Sequence, residues 1–214
     1  MSVLIDISWP LSGGSVSYKD RHPLVIEQLR SVAVQGVQDS LCSRLHMHAG
    51  THVDAPSHFI EDGQTIEQLS LAQMNGPCRV LDLTRLAADV DSIAQEDIAS
   101  FAIAPGERIL FKTRNSLRAP FGTYNQGEVF LAASAARYLA DRGVALVGID
   151  ALGLERNQPG YASHMALFNA GAIIVEGLRL GGVPSGRENY WLHLLPLAFV
   201  GTEAAPARAV LTEG

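Results

Sequence analysis

Cysteine is scarce: 214 residues contain only Cys42 and Cys78, at a spacing that fits no metal or redox motif. Their apolar neighbours predict two buried, reduced thiols in a cytoplasmic protein. Basic clusters are missing as well. Sixteen Lys and Arg stand against 22 Asp and Glu, a net charge of −6, which argues against nucleic acid or an anionic membrane surface as a partner. Apolar runs such as LHLLPLAFV at 192–200 are too short to span a bilayer. The opening MSVLIDISWPLSGG has no basic region, and Asp6 breaks its apolar run, so no leader is expected. Internal repeats, low-complexity tracts and linker-like composition shifts are absent too.

What remains is a chain that is 47% hydrophobic and 18% charged. That suffices for one sizeable core and fits a single domain over 1–214. Short β-rich runs punctuate it: VLIDIS (3–8), RVLDLT (79–84), RILFKT (108–113), ALVGID (145–150), AIIVEG (172–177) and RAVLT (208–212). Helical patterns are fewer, at 92–101, at 132–143 with Gly143 as its C-terminal stop, and from about 163 to 170. The order predicts an α/β or α+β domain with a mixed, barrel-like sheet and a few helices. Long loops at 10–23 and 111–128 are expected to carry function.

More than half of the seven histidines fall in one stretch, HMHAGTHVDAPSHF at 46–59. Within it, His48, His52, Asp54 and His58 form H-x3-H-x-D-x3-H. Imidazole nitrogen with carboxylate oxygen suits Zn²⁺, Mn²⁺ or Fe²⁺, and the lack of thiolates argues against a closed structural zinc site. Gly50 and Pro56 disfavour a helix here, so residues 51–54 are expected to be extended. Residues i and i+2 of a strand share a face. His52 and Asp54 then point together, Val53 turns into the core, and His48 enters from the Ala49–Gly50 turn. The alternative is a set of ordinary structural histidines.

His164 and Glu176 are a second candidate pair. On one continuous helix they would lie about 18 Å apart. Gly171 can end the helix, and the β-branched AIIVE returns as a strand. In that helix–turn–strand unit the two can meet, and a buried Glu176 needs a partner such as a metal. The competing reading is a helix cap for His164 and a surface ion pair for Glu176.

HAGTHVDAPSHF resembles the signature of the cyclase family of metal-dependent hydrolases, which includes bacterial kynurenine formamidase and isatin hydrolase. The resemblance extends over most of the chain, through the opening IDIS-PL, DG-TIEQL, GPCRVLDL, ILFKT, VGID, His164, Glu176 and LPL near the end. It implies a swivelling β/β/α fold, usually assembled as homodimers or homotetramers. His48, His52 and Asp54 would be metal ligands. His164 and Glu176 would complete a two-metal site in which Asp54 and Glu176 are shared. His58 would be the general acid/base. The chain departs from the formamidase branch at VSYKDRHPLVIE, where Tyr18 stands near that branch's aromatic, and at ALGLERNQPGYASH. Both loops are expected to line the pocket for a small-molecule substrate.

The expected activity is metal-dependent hydrolysis of a non-peptide carbon–nitrogen bond, foremost an arylformamide such as N-formylkynurenine. A cyclic amide of the isatin type, a cyclase or lyase reaction, and a non-catalytic metal-binding module are the alternatives. The cofactor would be Zn or Mn, one or two ions per chain. Trp9, Tyr18, Phe59, Tyr161 and Phe168 could shape an aryl pocket; Tyr18 and Tyr161, in polar loops, are the best placed.

Overall fold

In the computed structural model, residues 4–21, 24–185 and 189–213 are described. The strands are β1 (Leu4–Asp6), β2 (Val25–Arg30), β3 (Asp39–Arg44), β4 (His52–Asp54), β5 (Gly76–Asp82), β6 (Ser92–Ile93), β7 (Arg108–Lys112), β8 (Phe130–Leu131), β9 (Leu146–Ile149), β10 (Ile173–Glu176), β11 (Asn189–Pro196) and β12 (Ala204–Glu213). The helices are α1 (Val32–Gln35), α2 (Leu71–Met74), α3 (Gln95–Ile98), α4 (Ala133–Asp141) and α5 (Ala162–Asn169).

The main sheet runs β1-β12-β11-β5-β7-β9-β10-β4, and β4 pairs back onto β12. Seven strands therefore close a mixed barrel, with β1 appended to β12. The run β5-β7-β9-β10 is parallel and the remaining pairs are antiparallel. One face of these strands fills the barrel with Val53, Val80, Leu110, Leu146, Val175, Leu192 and Leu211. The other face packs Leu81, Ile109, Phe111, Val147, Ile149 and Ile174 beneath Leu139 of α4 and Leu167 of α5. Burial on both faces explains why the parallel strands read as continuous apolar runs.

The expected strands are present, the first shortened to β1, with its residue 3 outside the described residues, and the last extended to the whole of β12. The helix expected at 92–101 is not. Ser92 and Ile93 pair in parallel with Phe130 and Leu131, so only the single turn α3 and a 3-10 turn at Ala99–Phe101 follow. Long-range strand pairing overrides local helical periodicity there. Cys78 is buried as expected, but Cys42 is exposed, because β3 belongs to a hairpin with β2 that lies outside the barrel core.

Gly177 ties the barrel to the histidine-rich segment. Its φ of +66° is the left-handed region, and a Cβ there would sit 2.2 Å from the Gly50 carbonyl oxygen. Its own carbonyl accepts the Thr51 hydroxyl at 2.6 Å. Gly177→Ala should therefore destabilise the protein by about 1–3 kcal/mol. Denaturant unfolding tests this; an unchanged midpoint would show that the two segments are not locked together.

Candidate metal centre and pocket

The site grows from the pairing of β4 with β10. Ile174 lies opposite Asp54, and Glu176 opposite His52. The strand period puts His52, Asp54 and Glu176 on the face toward α5, while Val53 turns into the barrel. His48 enters from the preceding turn, helped by Gly50 at φ +60°. His58 ends a 3-10 turn, Pro56–His58. Helix α5 ends at Asn169, Gly171 takes φ +76°, and the chain returns as β10. That turn brings His164 to Glu176.

Asp54 and Glu176 each divide their two oxygens between histidines. Asp54 Oδ1 is 3.0 Å from His48 Nδ1 and 3.4 Å from His52 Nε2, and Oδ2 is 3.6 Å from His164 Nε2. Glu176 Oε1 is 3.3 Å from His164 Nε2, and Oε2 is 3.2 Å from His52 Nε2. All five predicted metal-ligand residues are thus brought together. His52, Asp54, His164 and Glu176 are buried, and His48 is 12% exposed in its side chain.

Two observations fit a cation. First, His48 Nε2, His52 Nε2 and Asp54 Oδ1 are buried, and although ionisable partners lie 3.0 to 3.4 Å away, none meets them in hydrogen-bond geometry. Orphaned buried polar atoms are costly unless a ligand meets them. Second, the ring nitrogens are preset. His52 Nδ1 lies 2.9 Å from the Gly50 carbonyl, and a carbonyl only accepts, so Nδ1 keeps a proton, and Nε2 is the nitrogen that faces the carboxylates and would offer its lone pair to a cation. The donor atoms of His52, Asp54 and Glu176 form one tight group, and those of His48, Asp54 and His58 another.

Burial alone would lower the His52 imidazole, but the Glu176 and Asp54 carboxylates raise it to about 9. Burial likewise opposes charge on His164, yet contacts with Asp54, Glu155 and Glu176 lift it well above the imidazole range. In the other direction, burial would raise both carboxyls. The charge of Asp54 also works against Glu176, but contacts with His164 and His52 bring Glu176 down to about 2. His164 and His48 hold Asp54 well below its usual range. Without a cation, imidazolium protons compensate the two carboxylates.

His58 differs. It is partly exposed, and burial, with the charges of His48 and His164, lowers its pKa against the pull of Asp54 and Glu176. It stands at the rim of a cavity of about 280 Å³. Tyr18, Phe59 and Tyr161 line that cavity, with the Phe59 ring 4.5 Å from Tyr161 and 4.6 Å from His164. The two loop tyrosines therefore lie where the sequence suggested. Trp9 packs beneath the cavity with Val16 and Leu152, and Phe168 belongs to the core under α5. Sequence reasoning missed Glu155, whose Oε1 is 2.6 Å from His164 Nδ1, and Glu203, 3.3 Å from His48 Nε2. Both sit in irregular segments where no periodicity marks them.

A family model described as a putative cyclase matches residues 5–156. A kynurenine formamidase of Salinibacter ruber is 40% identical over 171 residues, 79% of this chain and 78% of that protein. A kynurenine formamidase of Bacillus cereus is 31% identical over 208 residues, covering 97% and 96%. The solved structure of a "predicted metal-dependent hydrolase" from Bacillus stearothermophilus superposes with a TM-score of 0.86 at 40% identity over the whole of both chains. Isatin hydrolase A from Labrenzia aggregata shares the fold, with a TM-score of 0.81 at 21% identity over 99% and 94% of the two chains. Among the described residues, no helix is long and apolar enough to cross a membrane.

If imidazolium protons stand in for a cation, metal loading must expel them. Titrating metal-free protein with Zn²⁺ or Mn²⁺ at pH 7–8 should release on the order of two protons per chain. Affinity should rise with pH until His52 loses its proton near about 9. Calorimetry in buffers of different ionisation enthalpy measures this; heats independent of buffer would rule out the exchange.

Proposed function

The chain belongs to the putative cyclase family, and on that premise we propose that it is a metal-dependent arylformamidase acting on N-formylkynurenine or a close relative. The observation that carries this reading is the buried pair Asp54 and Glu176, ringed by His48, His52 and His164, beside an aromatic-walled cavity with His58 at its rim. Similarity to kynurenine formamidases of two organisms supports the substrate class. The N/O ligand set suits zinc and manganese alike. The pairing of both carboxylates with two histidine sides supports two ions: His48 and His52 would hold one and His164 the other, together with Asp54 and Glu176.

A divalent cation bound there supplies Lewis acidity, making water acidic near neutrality and polarising a carbonyl. The protein's own groups do the rest. Tyr18, Phe59 and Tyr161 offer an apolar wall for an aryl ring and leave the formyl group at the histidines. His58, its pKa lowered, is neutral near pH 7 and takes the proton from the attacking water. It returns that proton to the aryl nitrogen as the C–N bond breaks, yielding formate and an arylamine, with net addition of one water.

Metal-reconstituted protein should hydrolyse N-formylkynurenine, and His58→Ala should keep its metal but lose about 10²–10⁴-fold in rate. Because the neutral ring is the active form, kcat/KM should rise with pH and level off, its acid limb centred below about 6.5. That limb should vanish in His58→Ala. No turnover of N-formylkynurenine alongside turnover of isatin would move the substrate to a cyclic amide.

The same reading extends to a homodimer or homotetramer. Its support is the β2–β3 hairpin. Every residue of the two strands except Val25 is exposed, and Ile26, Leu29, Val32, Val34, Val37 and Leu41 present apolar surface, Val34 at 78%. A lone two-stranded hairpin is marginal in water, and its length suits the 20–30 residues that each partner brings to a typical interface of about 800 Å² per side. Sedimentation should find the wild type oligomeric and Leu29→Glu/Leu41→Glu monomeric; a monomeric wild type would refute the assembly. A cytoplasmic location is also proposed, supported by free thiols at Cys42 and Cys78.

A further inference from the structure

The two histidine sides of the centre are backed differently. On the first side, the His52 ring is oriented by a neutral group, the Gly50 carbonyl, and the carboxylate near His48 Nε2, Glu203 at 3.3 Å, is 39% exposed in its side chain. On the second, the His164 ring is oriented by a carboxylate. Glu155 Oε1 receives both the main-chain N–H of His164, at 3.0 Å, and its ring Nδ1, at 2.6 Å. Two donors from one residue to one oxygen fix the ring's position and its tautomer together. The ring's Nε2 then faces Asp54 and Glu176. The other carboxylate oxygen is held as well: Gln158 Nε2 donates to Glu155 Oε2 at 3.1 Å, and the same amide donates to Leu131 O and Ser163 Oγ. Gln158 Oε1 in turn accepts the Ala133 N–H at the start of α4. The chain of contacts runs from the α4 terminus through Gln158 and Glu155 to His164.

We propose that Glu155 is the positioning residue of the His164 side, and that it makes the two cation positions unequal. This rests on the two-ion reading above. The physical ground is that Glu155 is buried and that its ring contact is with a histidine whose far nitrogen points into the carboxylate cluster. A carboxylate behind a ligating imidazole holds the ring in one orientation and strengthens it as a donor. A carbonyl, as behind His52, orients the ring without adding charge. Glu155 lies in the segment ALGLERNQPGYASH, where this chain departs from the pattern of the formamidase branch. It also lines the cavity.

The test measures metal binding and needs no substrate. Metal-free wild type, Glu155→Gln, Glu155→Ala and His164→Ala are titrated with Zn²⁺ against a chromophoric chelator, and the Tm of each metal-free protein is recorded. The expected result is that His164→Ala loses one ion, and that Glu155→Gln and Glu155→Ala weaken that same ion by about 10–100-fold. The other ion should keep its affinity, and the metal-free Tm should stay within a few degrees of wild type. Equal affinities in wild type and Glu155→Gln would overturn the proposal while leaving the two-ion centre intact. Loss of both ions together with a fall in the metal-free Tm would also overturn it, showing Glu155 to be structural only. If Glu155→Ala does not fold, Glu155→Gln decides alone, because its amide oxygen can still accept the His164 donors. A wild type that binds a single ion or none would remove the two-ion reading and the proposal with it, whatever the protein hydrolyses.

Discussion

Two buried carboxylates on neighbouring strands govern this structure. Asp54 and Glu176 sit on adjacent antiparallel strands, two residues apart in register, on the same face, and both are buried. Moving one such charge from water into a protein costs several kcal/mol even after relaxation, and a second like charge alongside adds repulsion. A fold that keeps both must supply positive charge at that spot. His48, His52 and His164 surround the pair, and the Leu154 main-chain N–H donates to Glu176. The buried polar atoms left without a well-formed hydrogen bond fit a cation position.

The barrel makes that arrangement stiff. β4 is only three residues long, yet it pairs with β10 on one side and with β12 on the other. An edge strand of that length would fray; a central one has its backbone groups satisfied on both sides. Closure of the sheet through β12–β4 is thus what gives His52 and Asp54 a fixed direction. The close approach of Gly177 to Gly50 then holds the turn carrying His48 against the end of β10. The Thr51 hydroxyl completes the weld by accepting from the Trp9 N–H and donating to the Gly177 carbonyl.

How much of this can be read from the sequence follows from the range of each interaction. His48, His52, Asp54 and His58 fall within eleven residues, so strand period and a glycine turn suffice to group them. His164 and Glu176 needed one more step, a helix stop at Gly171. Glu155 was invisible because it meets His164 from an irregular loop, across nine residues and without any repeat. The β2–β3 hairpin was missed because it buries no face of its own and so leaves no hydrophobic alternation to detect. The segment at 92–101 misled for the opposite reason: its local pattern is helical, and the pairing of Ser92–Ile93 with residues 130–131 lies too far along the chain to be inferred.

Burial separates the roles within the histidine set. The side chains of His52 and His164 are almost fully enclosed, locked through Nδ1, and held as cations only by their carboxylate neighbours. Such groups are placed to hold an ion. His58 comes from the same short segment, yet the 3-10 turn begun by Pro56 lifts it to the rim of the cavity. There its ring faces both the cationic cluster and the aromatic wall, 4.3 Å from His48 and 4.1 Å from Phe59. Positive neighbours depress its proton affinity, and any cation in the cluster would depress it further. A neutral imidazole beside a Lewis acid and an aryl-sized pocket is what removal of a proton from water and its delivery to an aryl nitrogen require. The turn at Pro56 is therefore as necessary to the proposed chemistry as the strands that gather the ligands.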